Sequence, residues 1–180
     1  MLINLYTFYF PLSKLFSTFT NYFFPKTLLL GMVKSKLRTT YGDFDATLVS
    51  SGRSALYDFF IYIKNFRELR DKNEVLIPNY ICNVVDKSVI HSGLVPIRYD
   101  TDEYFRPVVK DLRVKISTKT LAVVFTPIFG CFDKVFVQAT RLVKSSSDAF
   151  IVYDNAQCMN RKPPPDTDAV ILSFNDKDIW

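Results

Sequence analysis

Three short stretches of this 180-residue chain carry side chains that could do chemistry. Ser50-Ser51-Gly52-Arg53-Ser54 places three hydroxyls and a glycine just ahead of a helix-patterned run, Ala55-Leu56-Tyr57-Asp58-Phe59-Phe60. A helix start has unpaired N–H groups and a positive partial charge, so such a turn makes an anion cradle, or more simply an ordinary serine cap. Asp154-Asn155-Ala156-Gln157 follows the β-forming run Phe150-Ile151-Val152-Tyr153 directly. A carboxylate at the end of a buried strand needs a cation or a hydrogen-bonding ligand, unless it caps the next turn. Ser173 and Lys177 close the set, a hydroxyl at the end of a further apolar run with a primary amine shortly after it.

The elements that position these residues follow from the apolar periodicity. Strands are expected at 46–49, 74–78, 94–100, 120–126, 150–153 and 169–174. Helices are expected from Ser54 toward Leu69, over 84–91, 111–116 and 132–144. Strands alternating with helices predict an α/β domain with a mostly parallel sheet. Pro96 puts its strand toward an edge, and the proline-rich stretch 161–167 is a loop. In open parallel sheets, ligands bind beyond the carboxyl ends of the strands. The three polar sets sit at such ends and can converge on one edge.

Composition removes several alternatives. The net charge of +5 is scattered, with no Lys/Arg block of the kind that binds nucleic acid. Cys82, Cys131 and Cys158 are far apart, and His91 is the only histidine, which argues against a zinc centre, a disulfide framework or a histidine-based triad. A reducing compartment, the cytoplasm, is expected. Residues 1–33 are rich in aromatic and apolar side chains but are broken by Pro11, Lys14, Pro25 and Lys26. They lack the ~20 apolar residues of a spanning helix and the pattern of a signal peptide. Residues 1–45 are expected as an aromatic arm and polar connector that packs on the core or on a partner subunit, with membrane-surface contact as the minority alternative. Residues 46–180 then form the domain proper.

A phosphate cradle, a carboxylate and a lysine at one edge suit pyridoxal 5'-phosphate. Amides and hydroxyls hold its phosphate, a carboxylate keeps its ring nitrogen protonated, and a lysine joins its aldehyde.

Five segments extend this reading: Ser51-Gly52-Arg53-Ser54-Ala55-Leu56, Glu74-Val75-Leu76-Ile77-Pro78-Asn79-Tyr80-Ile81-Cys82, Phe129-Gly130, Asp154-Asn155-Ala156-Gln157 and Ser173-Phe174. In order and approximate spacing, from roughly Ala46 to Phe174, they resemble the N-terminal half of the DegT/DnrJ/EryC1/StrS sugar aminotransferases. The resemblance implies the aspartate aminotransferase fold (type I): a three-layer large domain with a mostly parallel sheet, here incomplete at its C-terminal end. It implies a homodimer that moves an amino group from an amino-acid donor to a keto-sugar nucleotide, in nucleotide-sugar and cell-surface polysaccharide biosynthesis. Carried over by position, Gly52, Arg53 and Ser54 hold the cofactor phosphate with Ser173, Asp154 pairs with the ring nitrogen, and Gln157 lies near the ring hydroxyl. An aromatic contact to the ring face falls within Tyr80 to Cys82, with Tyr80 as the candidate, and Lys177 is the lysine that joins the cofactor. Three departures accompany these roles. Arg53 is bulkier than the small residue common at its position, although arginine there is not foreign to the family. The family lysine stands at the position that is Asp178 here, so Lys177 is one residue early. Family members are also much longer, with a small domain after the lysine. The alternative implied by these departures is a truncated or degenerate relative without turnover.

Overall fold

The computed structural model describes residues 26–42, 46–65, 71–158 and 161–173. The chain divides into two compact units, Met1–Thr47 and Leu48–Trp180. In the first, helix α1 spans Lys26–Tyr41. The polar stretch expected as a connector from residue 34 is therefore helical as far as Tyr41. Its Lys, Leu and Arg residues are good helix formers, and the hydroxyls of Thr39 and Thr40 are satisfied within the helix by the carbonyls of Ser35 and Lys36, four residues back, at 2.7 and 3.0 Å. The aromatic segment before Lys26 lies outside the described residues.

The second unit contains α2 (Gly52–Lys64), β1 (Glu74–Pro78), α3 (Asn83–His91), β2 (Val95–Tyr99), α4 (Val109–Lys115), β3 (Thr120–Phe125), α5 (Lys134–Ser146), β4 (Phe150–Asp154) and β5 (Ala169–Ile171). Residues 46–49, expected as a strand, pair with no strand among the described residues, and Leu48 and Val49 are exposed. β-Forming composition does not make a strand without a neighbour to pair with.

The five strands lie in the order β2-β1-β3-β4-β5, and every pair is parallel. β3 is buried along its whole length, which is why it reads as one continuous apolar run. From β1 the chain winds outward to β2, returns across β1 to β3, and continues to β4 and β5. Right-handed crossovers in opposite directions put their helices on opposite faces. Leu56, Phe60 and Ile63 of α2 and Val85 of α3 pack with Val124 and Val152 on one face. Leu112 of α4 and Phe136 and Val143 of α5 pack with Val123, Phe125 and Tyr153 on the other. The result is the expected three-layer α/β arrangement. No helix among the described residues is long and apolar enough to cross a membrane.

Two tyrosines are buried in the second layer with their hydroxyls satisfied. Tyr99 donates to the Val124 carbonyl at 2.8 Å, and the Tyr153 hydroxyl lies 2.7 Å from Thr140 Oγ1. Burial, with Tyr153 nearby, pushes the Tyr99 phenol well above its ordinary value. Burial likewise raises Tyr153 against the opposing hydrogen bond from Thr140. Both phenols stay neutral and act as core residues. At β1 and β3, adjacent strands lead to helices on opposite faces, so their carboxyl ends diverge and open a crevice.

The density of this core can be tested at Leu76, which is fully buried on β1. Leu76→Ala should lower the unfolding free energy by about 2–5 kcal/mol, measured by urea denaturation. A loss below about 1 kcal/mol would contradict a packed sheet at this position.

Candidate functional site

The site is assembled along the carboxyl edge of the sheet. Ser51 caps α2, its Oγ accepting from the Ser54 N–H at 3.1 Å. The Ser54 hydroxyl lies 3.0 Å from those of both Ser50 and Ser51, so three hydroxyls gather at the helix start. No acidic residue occupies the first turn of α2, so no side chain there offsets the positive helix end. Gly52 brings this start against the end of β5. A Cβ on Gly52 would meet Ser173 Cβ at 3.8 Å and Ile171 Cγ2 at 3.9 Å. Residues at opposite ends of the domain thus share one cradle. Arg53 is exposed, and its carbonyl accepts a long 3.5 Å bond from the Ser88 hydroxyl of α3.

Asp154 ends β4, and its Oδ1 accepts the Ala156 N–H at 3.2 Å. The Asn155 N–H donates to the Ile171 carbonyl at 2.9 Å, carrying the β4–β5 pairing one step beyond the strand. Val152 and Ile171 face α2 and α3. Strand alternation turns Asp154 and Ser173 toward that same face, under the start of α2. Gln157 is fixed separately, with its Oε1 accepting the Phe129 N–H at 2.9 Å. This bond ties the loop after β4 to the loop after β3. The two loops are close enough that a Cβ on Gly130, whose φ is +73°, would sit 3.7 Å from the Gln157 carbonyl. The Gln157 side-chain NH₂ remains as the donor end of the amide.

Tyr80, after β1, forms the aromatic border. Its ring lies 4.9 Å from Phe105, which lies 5.6 Å from Phe129. Phe105 and Phe129 both hold positive φ, 59° and 55°, a conformation that costs a non-glycine residue free energy and concentrates at functional loops. The Phe105 loop is strongly anchored. Asp102 Oδ1 accepts the N–H groups of Tyr104 and Arg106 at 2.9 Å, and Oδ2 accepts Arg106 Nε at 2.8 Å. The Arg106 guanidinium also reaches Asp133, the cap of α5, at 3.0 Å. Asn79, just past β1, accepts from the Thr101 hydroxyl at 2.7 Å. Burial would raise the Asp102 carboxyl, but its bonds from Arg106 and Tyr104 outweigh that and hold it below the usual carboxylate range. Sequence reasoning missed this loop. Its only signal is the Asp102–Arg106 spacing, which helical context normally explains.

Of the residues expected at the site, Gly52, Ser54, Asp154 and Ser173 come to one face of one edge, with Arg53 on the exposed side of the cradle. Gln157 and Tyr80 belong to the adjoining loops. Lys177 lies outside the described residues. Two buried side-chain oxygens at the same edge have no hydrogen-bond partner among the described residues, Thr126 Oγ1 and Asn155 Oδ1.

No family model matches the chain, and no curated protein does. Its similarity is to solved structures. PseC of Helicobacter pylori, an aminotransferase involved in the biosynthesis of pseudoaminic acid, is 17% identical with a TM-score of 0.67, over 79% of this chain and 39% of that one. The GDP-4-keto-6-deoxy-D-mannose-3-dehydratase of E. coli, solved with bound hydrated PLP, is 15% identical with a TM-score of 0.59, over 71% and 33%. An aspartate aminotransferase variant of Thermus thermophilus is 22% identical with a TM-score of 0.56, over 68% and 35%. These likenesses establish the fold: the chain has the α/β architecture of aspartate aminotransferase-fold proteins. It spans less than two fifths of the length of each of these three.

The anchoring of the Phe105 loop predicts a pH signature. A carboxyl with a depressed folded-state pKa stabilises fully above its unfolded value, about 4, and loses that contribution as pH falls through the lower folded value. Asp102→Asn should therefore speed hydrogen exchange at the Tyr104 and Arg106 amides by a few-fold to about tenfold at neutral pH, because charge-assisted bonds become ordinary ones. Wild type should loosen in the same way only in acid. Equal exchange in both proteins at pH 7 would refute the anchoring role.

Proposed function

We propose that this chain carries the cofactor half of a pyridoxal phosphate-dependent aminotransferase of the DegT/DnrJ/EryC1/StrS type, acting on a keto-sugar nucleotide with an amino acid as donor. The observation that carries this reading is the α2 start set against Ile171 and Ser173, with Asp154 opposite Ile171 in the pairing of β4 and β5, at the carboxyl edge of a parallel sheet. The residues fit the cofactor. Glycine at the start of α2 leaves open the space a side chain would fill, three hydroxyls surround it, and a carboxylate stands one strand away. Similar folds in aminotransferases and in a PLP-bound sugar dehydratase support the same assignment.

Bound at this edge, pyridoxal phosphate supplies an electron sink for breaking and remaking bonds at the amino-bearing carbon. The protein's own groups do the rest. The amides of α2 and the hydroxyls of Ser51, Ser54 and Ser173 hold the phosphate, and Arg53 adds positive charge at the rim. Asp154 would hold a proton on the ring nitrogen, because a carboxylate beside that nitrogen favours its charged form. Gln157 would offer its NH₂ to the ring oxygen, and Tyr80 would cover the ring face. Lys177 would be the amine that holds the cofactor at its aldehyde carbon and would take and return the proton at the reacting carbon. The substrate arrives as a nucleotide sugar, the working form is a cytoplasmic homodimer, and the product serves surface-polysaccharide or related sugar biosynthesis.

Titration with pyridoxal phosphate, followed by absorbance, tests this reading. Wild type should bind saturably. Ser54→Asp, which places a negative charge in the cradle, should weaken binding at least about tenfold. Asp154→Asn should bind but shift the absorbance band, because the ring nitrogen is no longer held protonated. A folded wild-type protein that shows no saturable binding would overturn the assignment.

A further inference from the structure

One buried group at this edge has no role in the reading above. Thr126 is the first residue after β3, and its hydroxyl oxygen is buried with no hydrogen-bond partner among the described residues. Leaving a buried hydroxyl unpaired costs about 1–3 kcal/mol. Valine has nearly the same shape without that cost, and valines occupy 123 and 124 in the same strand. A threonine here calls for an explanation of its hydroxyl.

Its position supplies one. Val124 faces α2 and α3, and Phe125 faces the opposite layer. One further step of the alternation turns Thr126 back toward α2. β3 and β4 pair in the register Phe125↔Tyr153, and continuing it by one residue sets Thr126 opposite Asp154. Directly opposed residues on one face are near neighbours. Asp154 in turn pairs with Ile171, so Thr126, Asp154 and Ile171 form a row across three adjacent strand ends on one face, with Ser173 two residues beyond Ile171 and the α2 cradle against both at that end. A ligand with its phosphate in the cradle and its ring nitrogen at Asp154 extends along this row toward Thr126.

We propose that Thr126 is a further ligand-binding residue of this site. Its hydroxyl hydrogen-bonds the polar edge of the heteroaromatic ring held at Asp154, which rests on the pyridoxal phosphate reading given above. Asn155, the other residue with an unpartnered buried oxygen, differs. Its side-chain NH₂ is committed to the Arg161 carbonyl at 3.2 Å, and it follows Asp154 out of the row.

The test compares Thr126→Val and Thr126→Ser with wild type in three measurements: affinity for pyridoxal phosphate, thermal protection by inorganic phosphate, and unfolding midpoint without ligand. Thr126→Val should weaken pyridoxal phosphate binding about five- to tenfold. It should leave protection by inorganic phosphate unchanged and leave the unliganded midpoint equal to or above that of wild type. Thr126→Ser should restore affinity to within about twofold. Unchanged pyridoxal phosphate affinity in Thr126→Val would overturn the role of Thr126 alone. A lowered midpoint with phosphate protection lost as well would make Thr126 a structural residue. Failure of wild type to bind pyridoxal phosphate would overturn the site assignment itself and Thr126 with it.

Discussion

The parallel pairing of β1, β3, β4 and β5 is the constraint on which the rest depends. Parallel strands end at the same edge, and each helical crossover returns the chain to start the next strand at the far edge. Residues that follow different strands are thereby collected without any contact between them in sequence. Burial of both sheet faces enforces this arrangement, because a strand slipped by one residue would turn its apolar set to the wrong layer. Asp154 and Ser173 face the start of α2 because Val152 and Ile171, two residues earlier, are held in the layer beneath that helix.

Two kinds of order then meet at the edge. The α2 start is a polar cradle made of three hydroxyls, the first-turn backbone and a glycine that lies against the end of β5. The aromatic side depends on long-range side-chain bonds. Asn79 holds the loop after β2 from one direction and Asp133 holds Arg106 from the other, so that Phe105 sits between Tyr80 and Phe129 in a strained backbone conformation. Anchoring of this strength around strained residues is characteristic of binding loops on a rigid scaffold. It leaves a border of tilted and edge-on aromatic rings along the loops that follow β1, β2 and β3.

Much of this was legible in the sequence, for identifiable reasons. β3 and β4 are buried on both faces, so each appears as an unbroken apolar run, and their ends fall within a residue of those expected. The helix start at Gly52 was marked by serines, which cap helices through their own hydroxyls. Residues 46–49 misled because β-propensity is expressed only against a neighbouring strand. The stretch from residue 34 misled because polar composition suits an exposed helix as well as it suits a connector. The Phe105 loop and the unpaired Thr126 hydroxyl could not be read at all. Both are defined by partners, present or missing, on other strands and helices.

The most direct measurement of the central assignment is reduction of the pyridoxal phosphate-treated protein with borohydride, followed by peptide mass spectrometry. A single pyridoxyl adduct on Lys177 is the expected result. It would show that the cradle, Asp154 and the amine serve one cofactor despite the lysine standing one residue early. Adducts scattered at low occupancy over surface lysines, with none at Lys177, would contradict it, and the edge would then be a phosphate-binding fold without the chemistry.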